Sequence, residues 1–113
     1  MDSSEHDVIR CDAAVTLAFS VLGKRWNGMI VSALGSGAST FGGLRRAVPG
    51  ISDAVLSDRL VELAEAELVV RTVEAGPPVT VSYGLTDSGK RLLPILDQLG
   101  EWAVGNLTAR SPS

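Results

Sequence analysis

The stretch from Ile51 to Leu68, ISDAVLSDRLVELAEAEL, constrains the fold of this chain more than any other. It follows Pro49-Gly50, a pair that stops one helix and turns the chain sharply. Ser52 is a strong N-cap, because its hydroxyl accepts a backbone N–H of the first turn, and Asp53 suits the positive end of the helix dipole. Leu56, Leu60 and Leu63 recur at i, i+4 and i+7, so they share one buried stripe. At about 100° per residue, Ala54, Ser57, Asp58, Val61 and Glu65 point the other way. Near its start that outer face is small and polar, and it can press closely against a partner. Taken alone, the same pattern describes an ordinary core helix with a solvated side.

The neighbouring segments narrow the choice. A helix is expected from Asp12, an N-cap candidate, to about Leu22, with Val15, Leu17, Ala18, Val21 and Leu22 apolar and Gly23 ending it. Trp26 opens a second helix, WNGMIVSAL, closed by Gly35 to Gly37 and mostly buried through Met29, Ile30, Val31 and Leu34. Ser39 and Thr40 lead a short helix, TFGGLRRAV. Phe41, Leu44 and Val48 form its inner face, with Arg45 and Arg46 beside it. Gly42 and Gly43 weaken it by about 1 kcal/mol each relative to alanine. Two short helices joined by a tight turn, the second with a slim polar outer face, make a helix-turn-helix. Downstream, Val69 to Val73 and Val79 to Leu85 are β-branched and partly alternating, so they read as strands joined by Glu74 to Pro78. A hairpin directly after a helix-turn-helix is a wing. Thr86 then caps a last helix, with Asp87 in its first turn. That helix carries Leu92, Leu93, Ile95, Leu96, Leu99, Trp102 and Leu107, more apolar surface than one small domain hides alone. A self-complementary dimer interface is the natural outlet, and packing on its own domain the alternative.

At 113 residues the chain has room for one domain with its own core. One cysteine excludes an intramolecular disulfide and a multi-cysteine metal site, and it suits a reducing, cytoplasmic setting. The single histidine, His6, lies in a polar tail, which leaves zinc-hydrolase and Ser-His-Asp schemes little to work with. No paired carboxylates, glycine-rich phosphate loop or nucleophile-base set appears, so neither an enzyme nor a cofactor or metal is expected. No apolar run reaches membrane-spanning length, and the opening MDSSEHD is the reverse of a signal peptide. The net charge of −3 argues against nucleic acid only if taken globally. Residues 24–59 carry five bases (Lys24, Arg25, Arg45, Arg46, Arg59) against two acids, between flanks that are each acidic. Local field governs phosphate contact more than total charge does, although such clustering also occurs on ordinary solvated surface.

The ordered set Cys11, then Gly-Lys-Arg-Trp at Gly23 to Trp26, then Phe41…Leu44-Arg45-Arg46…Pro49-Gly50-Ile51-Ser52, continues with Leu56…Arg59-Leu60…Leu63, Pro77-Pro78 and Tyr83-Gly84-Leu85-Thr86…Gly89. In this order and spacing, over roughly residues 8–107, the chain resembles the HxlR-type regulators. These are bacterial winged-helix transcription factors related to the MarR group. The resemblance implies an α+β, mostly helical fold: a winged helix-turn-helix with a two-stranded wing and N- and C-terminal dimerisation helices. It implies homodimeric binding of double-stranded DNA, a recognition helix at Ser52 to Glu67, and dimerisation through the first and last helices. Val15, Leu92, Ile95, Leu96, Leu99 and Trp102 are the candidate dimer contacts. Residues 1–10 are expected to form a flexible N-terminal arm, 11–107 the winged-helix domain and 108–113 a C-terminal tail.

Departures from the family pattern bear on binding. The family often carries a lysine where this chain has Ala54, an amide at Asp58, a basic residue at Thr40, and a wing arginine where Val79 and Thr80 stand. Several expected phosphate contacts are therefore missing, and weaker or more salt-sensitive binding, or a different operator, follows. Arg45, Arg46 and Arg59 are candidates to hold phosphates and set register, with solvated surface as the alternative for Arg45 and Arg46. Ala54 is placed to meet a thymine methyl, Ser57 a base edge and Asp58 a cytosine amine, with pairing of Asp58 to a neighbouring arginine as the alternative. Ser52, Asp53, Lys24, Pro78 and Thr80 complete the candidate DNA-facing set. Trp26, Tyr83 and Trp102 read first as packing residues.

Some family members sense oxidants or electrophiles through an N-terminal cysteine, which corresponds here to Cys11. With no second cysteine, a disulfide would link two subunits, with Cα atoms within about 7 Å, or take up a small thiol. Asp7 and Asp12 oppose Arg10 and the helix N-terminus in setting its reactivity, and a buried, inert thiol is the alternative. A small molecule or an oxidant is the class of effector expected. The rival to a DNA-binding regulator is a winged-helix protein-interaction module without sequence-specific DNA binding, favoured by the negative net charge and the depleted recognition face.

Overall fold

The computed structural model describes residues 3–107, with side chains described from residue 13 onward. The order is α1 (Ser3–Leu22), α2 (Asn27–Leu34), α3 (Phe41–Ala47), α4 (Asp53–Glu65), β1 (Val69–Glu74), β2 (Thr80–Leu85) and α5 (Asp87–Asn106). The strands pair antiparallel, from Val69 opposite Leu85 to Glu74 opposite Thr80. This is the expected winged helix-turn-helix with a two-stranded wing. One pairing lies outside the expected hairpin. Ser39 bridges Tyr83, its N–H donating to the Tyr83 carbonyl at 2.9 Å and its carbonyl accepting from the Tyr83 N–H at 2.7 Å. The chain entering α3 is thereby pinned to the wing.

Side-chain caps define three helix starts. Thr40 accepts from Gly43 N–H, Ser52 from Val55 N–H and Thr86 from Gly89 N–H. The α3–α4 turn works because Gly50 adopts φ +91°, a conformation that costs other residues a Cβ clash. Gly89 has a different reason: the Leu68 backbone carbonyl lies where a Cβ would be, so the start of α5 approaches the end of α4 closely. Thr86 strengthens that approach, its hydroxyl donating to the Glu67 carbonyl at 2.6 Å.

The core joins Ile30, Val31 and Leu34 of α2, Leu44 of α3, and Leu56, Leu60 and Leu63 of α4. Val48, Ile51 and Val69 complete it. The leucine stripe expected on α4 is thus its buried face. Leu92, Leu93 and Leu96 of α5 pack half-buried against this core, whereas Ile95, Leu99 and Trp102 stay exposed. Val15, Leu17 and Phe19 of α1 are exposed as well. No described helix is long and apolar enough to cross a membrane.

Three elements differ from expectation, two in their bounds and one in what it buries. Helix α1 begins at Ser3, so Asp12 lies inside it rather than capping it. No glycine or proline interrupts residues 3–22, and nothing in that run stops propagation. Cys11 falls on this helix, but its side chain lies outside the described residues. Met29 is 45% exposed rather than buried, because α2 turns only Ile30, Val31 and Leu34 inward. Helix α4 stops at Glu65 instead of running to Leu68. Glu67 takes φ +63°, its N–H donates to the Ala64 carbonyl, and Leu68 N–H donates to the Leu63 carbonyl. This is a Schellman ending with glutamate where glycine is usual.

Candidate nucleic-acid interface

With Leu56, Leu60 and Leu63 turned inward, α4 presents Ala54, Ser57, Asp58, Val61 and Glu65 outward, all exposed. Small side chains at Ala54 and Ser57 let a flat polar surface come close to the helix axis, which suits insertion into a major groove. Asp58 has no cationic partner among the described residues, so the expected alternative of an internal ion pair is not what the structure contains.

The basic residues divide into tied and untied groups. Arg45 and Arg46 lie in the last turn of α3, where cations complement the helix dipole. Arg45 is tied: its Nη1 donates to both carboxylate oxygens of Asp53, at 3.0 and 3.1 Å. Asp53, expected to face DNA, is therefore directed at a neighbouring side chain. Arg46 is exposed and has no carboxylate partner among the described residues. Arg59 departs most from expectation. It is half-buried, its Nη1 donates to Glu62 at 3.1 Å, and its Nε is enclosed without a partner. It points into the protein, because position 59 falls between the leucine stripe and the outer face. Lys24 likewise donates to Glu62, at 2.8 Å. Hydrogen bonds from Lys24 and Asn27 hold the Glu62 carboxyl below the usual carboxylate range, assisted by the charges of Arg59 and Lys24 and opposed by desolvation. Arg25 stacks over the Trp26 ring at 4.5 Å, and Trp26 itself is half-buried against the core.

Sequence reasoning missed one cation. Arg71 of β1 lies opposite Tyr83 of β2, and both line a groove with Ser57, Leu60, Val61, Ala64 and Glu65 of α4. The groove separates recognition helix from wing, so Arg71 shares the surface on which Ser57 is displayed. Alternation carried the signal: Val69 is buried, and Arg71 two residues later lies on the same strand face. Pro78 and Thr80 are exposed at the wing, where Thr80 pairs opposite Glu74.

Comparison with known proteins agrees with this geometry. The family profile described as HxlR-like helix-turn-helix matches residues 21–111. The chain is 43% identical over 87 residues to YvaP of Bacillus subtilis, an uncharacterized HTH-type transcriptional regulator, covering 77% of this chain and 81% of that protein. It is 42% identical over 86 residues to YodB of Bacillus subtilis, an HTH-type transcriptional regulator, covering 76% of this chain and 77% of that protein. The solved reduced form of YodB superposes with a TM-score of 0.76 at 39% identity, over 81% of this chain and 90% of that chain. The redox regulator HypR in its reduced form superposes with a TM-score of 0.77 at 33% identity, over 82% of this chain and 92% of that chain. Profile, relatives and winged-helix geometry converge, and this chain belongs to the HxlR-like helix-turn-helix family.

Proposed function

We propose that this chain is a DNA-binding transcriptional regulator that acts as a symmetric homodimer on a pseudo-palindromic operator. The observation that carries the reading is the outer face of α4: Ala54, Ser57 and Asp58 are exposed on a helix whose other side is locked into the core, Arg71 lines the groove beside it, and Arg46 of α3 has no carboxylate partner among the described residues. Arg46 and Arg71 contact phosphate and set register; Ala54, Ser57 and Asp58 meet base edges. Arg59 and Lys24 contribute through Glu62 rather than by touching DNA.

Exposed apolar side chains support the dimer: Val15, Leu17 and Phe19 on α1 and Ile95, Leu99 and Trp102 on α5 are uncovered within the single chain. Two recognition helices would then enter successive major grooves with half-sites roughly 34 Å apart.

Selection of duplexes from a random library, followed by titration at several salt concentrations, tests the reading. Arg46→Ala and Arg71→Ala are each expected to weaken binding to all sequences alike and lower the salt slope by about one unit. Ser57→Ala is expected to change preference at one or two base positions. No enrichment of any duplex by the wild-type chain would point to the protein-interaction module instead.

The oxidant reading is carried by relatives. The solved structures include YodB in reduced and diamide-treated forms and a protein described as the redox regulator HypR. Cys11 is the one thiol of this chain. Diamide is expected to change operator affinity of wild type and not of Cys11→Ser; equal affinity of oxidised and reduced wild type would leave Cys11 as packing.

A further inference from the structure

Asn27, the first residue of α2, is fully buried and polar. Its Nδ2 donates to the Val21 carbonyl at 2.7 Å and to Glu62 Oε1 at 3.2 Å. Both partners are acceptors, so the orientation of the amide follows from its surroundings. Val21 belongs to the last turn of α1, where helical carbonyls have no partner within the helix. Glu62 belongs to α4 and also receives Lys24 and Arg59. A single amide thus joins the end of α1 to the recognition helix. Close by, an apolar groove lined by Ala18, Val21, Leu22, Ala66 and Leu68 separates the same two regions.

The arrangement is not what packing alone would favour. Asn27 Oδ1 and Arg59 Nε are both enclosed without partners, and unpartnered buried polar atoms are destabilising. An apolar side chain at position 27 would spare the unpartnered Oδ1 but would take the donor away from the Val21 carbonyl and Glu62 Oε1. What the amide contributes is direction: its two hydrogen bonds set where α4 lies relative to α1.

We infer that Asn27 and Glu62 are positioning residues that fix the angle between α1 and the recognition helix, and thereby the separation of the two recognition helices in the dimer. The inference rests on the DNA-binding, dimeric reading above and deepens it. Neither residue touches DNA. Each acts on the spacing that a two-half-site operator measures, whereas Ser57 and its neighbours act on the identity of the bases.

The test uses the full chain and a duplex selected by wild type from a random library. That duplex is then remade with one or two base pairs added to or removed from its centre. Each base pair rotates one half-site by about 35° relative to the other and shifts it by about 3.4 Å, so wild type is expected to show a sharp optimum, with about tenfold loss at the neighbouring spacings. Asn27→Leu and Glu62→Gln are each expected to flatten or displace that optimum, with dimerisation and the preferred half-site sequence unchanged. Uniform weakening at every spacing, with the optimum in place, would mark a merely structural role and overturn the inference. Glu62→Gln preserves shape at a partly solvated position, so its profile decides the matter even where Asn27→Leu fails to fold. Failure of wild type to select any duplex would overturn the DNA-binding reading together with this inference. A selected duplex whose spacing profile is identical for wild type and both variants would overturn this inference alone.

Discussion

Arg45 and Asp53 hold each other across the turn between α3 and α4, with Arg45 Nη1 donating to both carboxylate oxygens of Asp53 at 3.0 and 3.1 Å. The side chains remain 49% and 60% exposed. Ion pairs this open are worth about 0–1 kcal/mol, less than a phosphate offers a guanidinium through charge-assisted hydrogen bonds and counterion release. The pair is a weak internal competitor at the edge of the DNA-facing surface.

Asp53→Asn is therefore expected to tighten binding to all duplexes by several fold and to steepen the salt slope by about one unit, as Arg45 becomes available to phosphate. The substitution also removes an acid from the first turn of α4, at a cost of about 0.3–1 kcal/mol in helix stability. Fluorescence anisotropy across a salt series checks both parts. An unchanged slope would mean that Arg45 does not reach DNA.

Glu67 occupies the left-handed position of the α4 ending with φ +63°. Glycine adopts that conformation freely, so Glu67→Gly is expected to raise stability by about 0.5–1 kcal/mol and the melting temperature by about 4 °C. Thermal unfolding followed by circular dichroism measures it; a lower melting temperature would show that the side chain contributes more than its strain costs.

Glu62 gives stability a definite pH dependence. Its carboxyl titrates below the ordinary value of 4.5, chiefly because Lys24 and then Asn27 donate to it. Between the two values the unfolded chain binds more protons than the folded one, so this stabilisation is complete above the unfolded value and fades as pH falls through the depressed folded value. Urea unfolding of wild type and Glu62→Gln is expected to show a gap at about pH 7 that narrows as pH falls below 4.5. A gap of constant size would show that the carboxylate charge is not its source.

Ile95, Leu99 and Trp102 share one exposed stripe of α5 at i, i+4 and i+7. Leu99→Lys is expected to leave helix content largely unchanged, because the position is exposed within its own chain. It is expected to give a monomer by sedimentation and to lose about a hundredfold or more of operator affinity once the two half-sites bind independently. A monomeric wild type would remove the basis for this expectation.

Much of this fold follows from local chemistry. Ser52, Thr40 and Thr86 each mark a helix start because a hydroxyl satisfies a free N–H of the first turn, which depends only on neighbours in sequence. Leu56, Leu60 and Leu63 name the buried face of α4 because helical periodicity is local too. Valine-rich alternation around Pro77-Pro78 marks the wing for the same reason. The end of α4 was not legible, since glutamate stands where glycine would have announced the turn, and the bonds from Glu67 and Leu68 complete it. Nor was the allocation of charge. Which basic residues are free and which are held depends mostly on the tertiary fold: Lys24 reaches Glu62 across 38 positions, Asn27 reaches it across 35, and Arg45 reaches Asp53 across the α3–α4 turn, whereas Arg59 meets Glu62 on its own helix. The sequence by itself determined the helices, the wing and the outward face of α4, all consequences of short-range periodicity and capping. Only the tertiary structure decided that Arg45 answers to Asp53 and that Lys24 joins Arg59 on Glu62, while Arg46 and Arg71 have no carboxylate partner among the described residues. Ion pairing is a matter of spatial proximity, and composition carries no record of that.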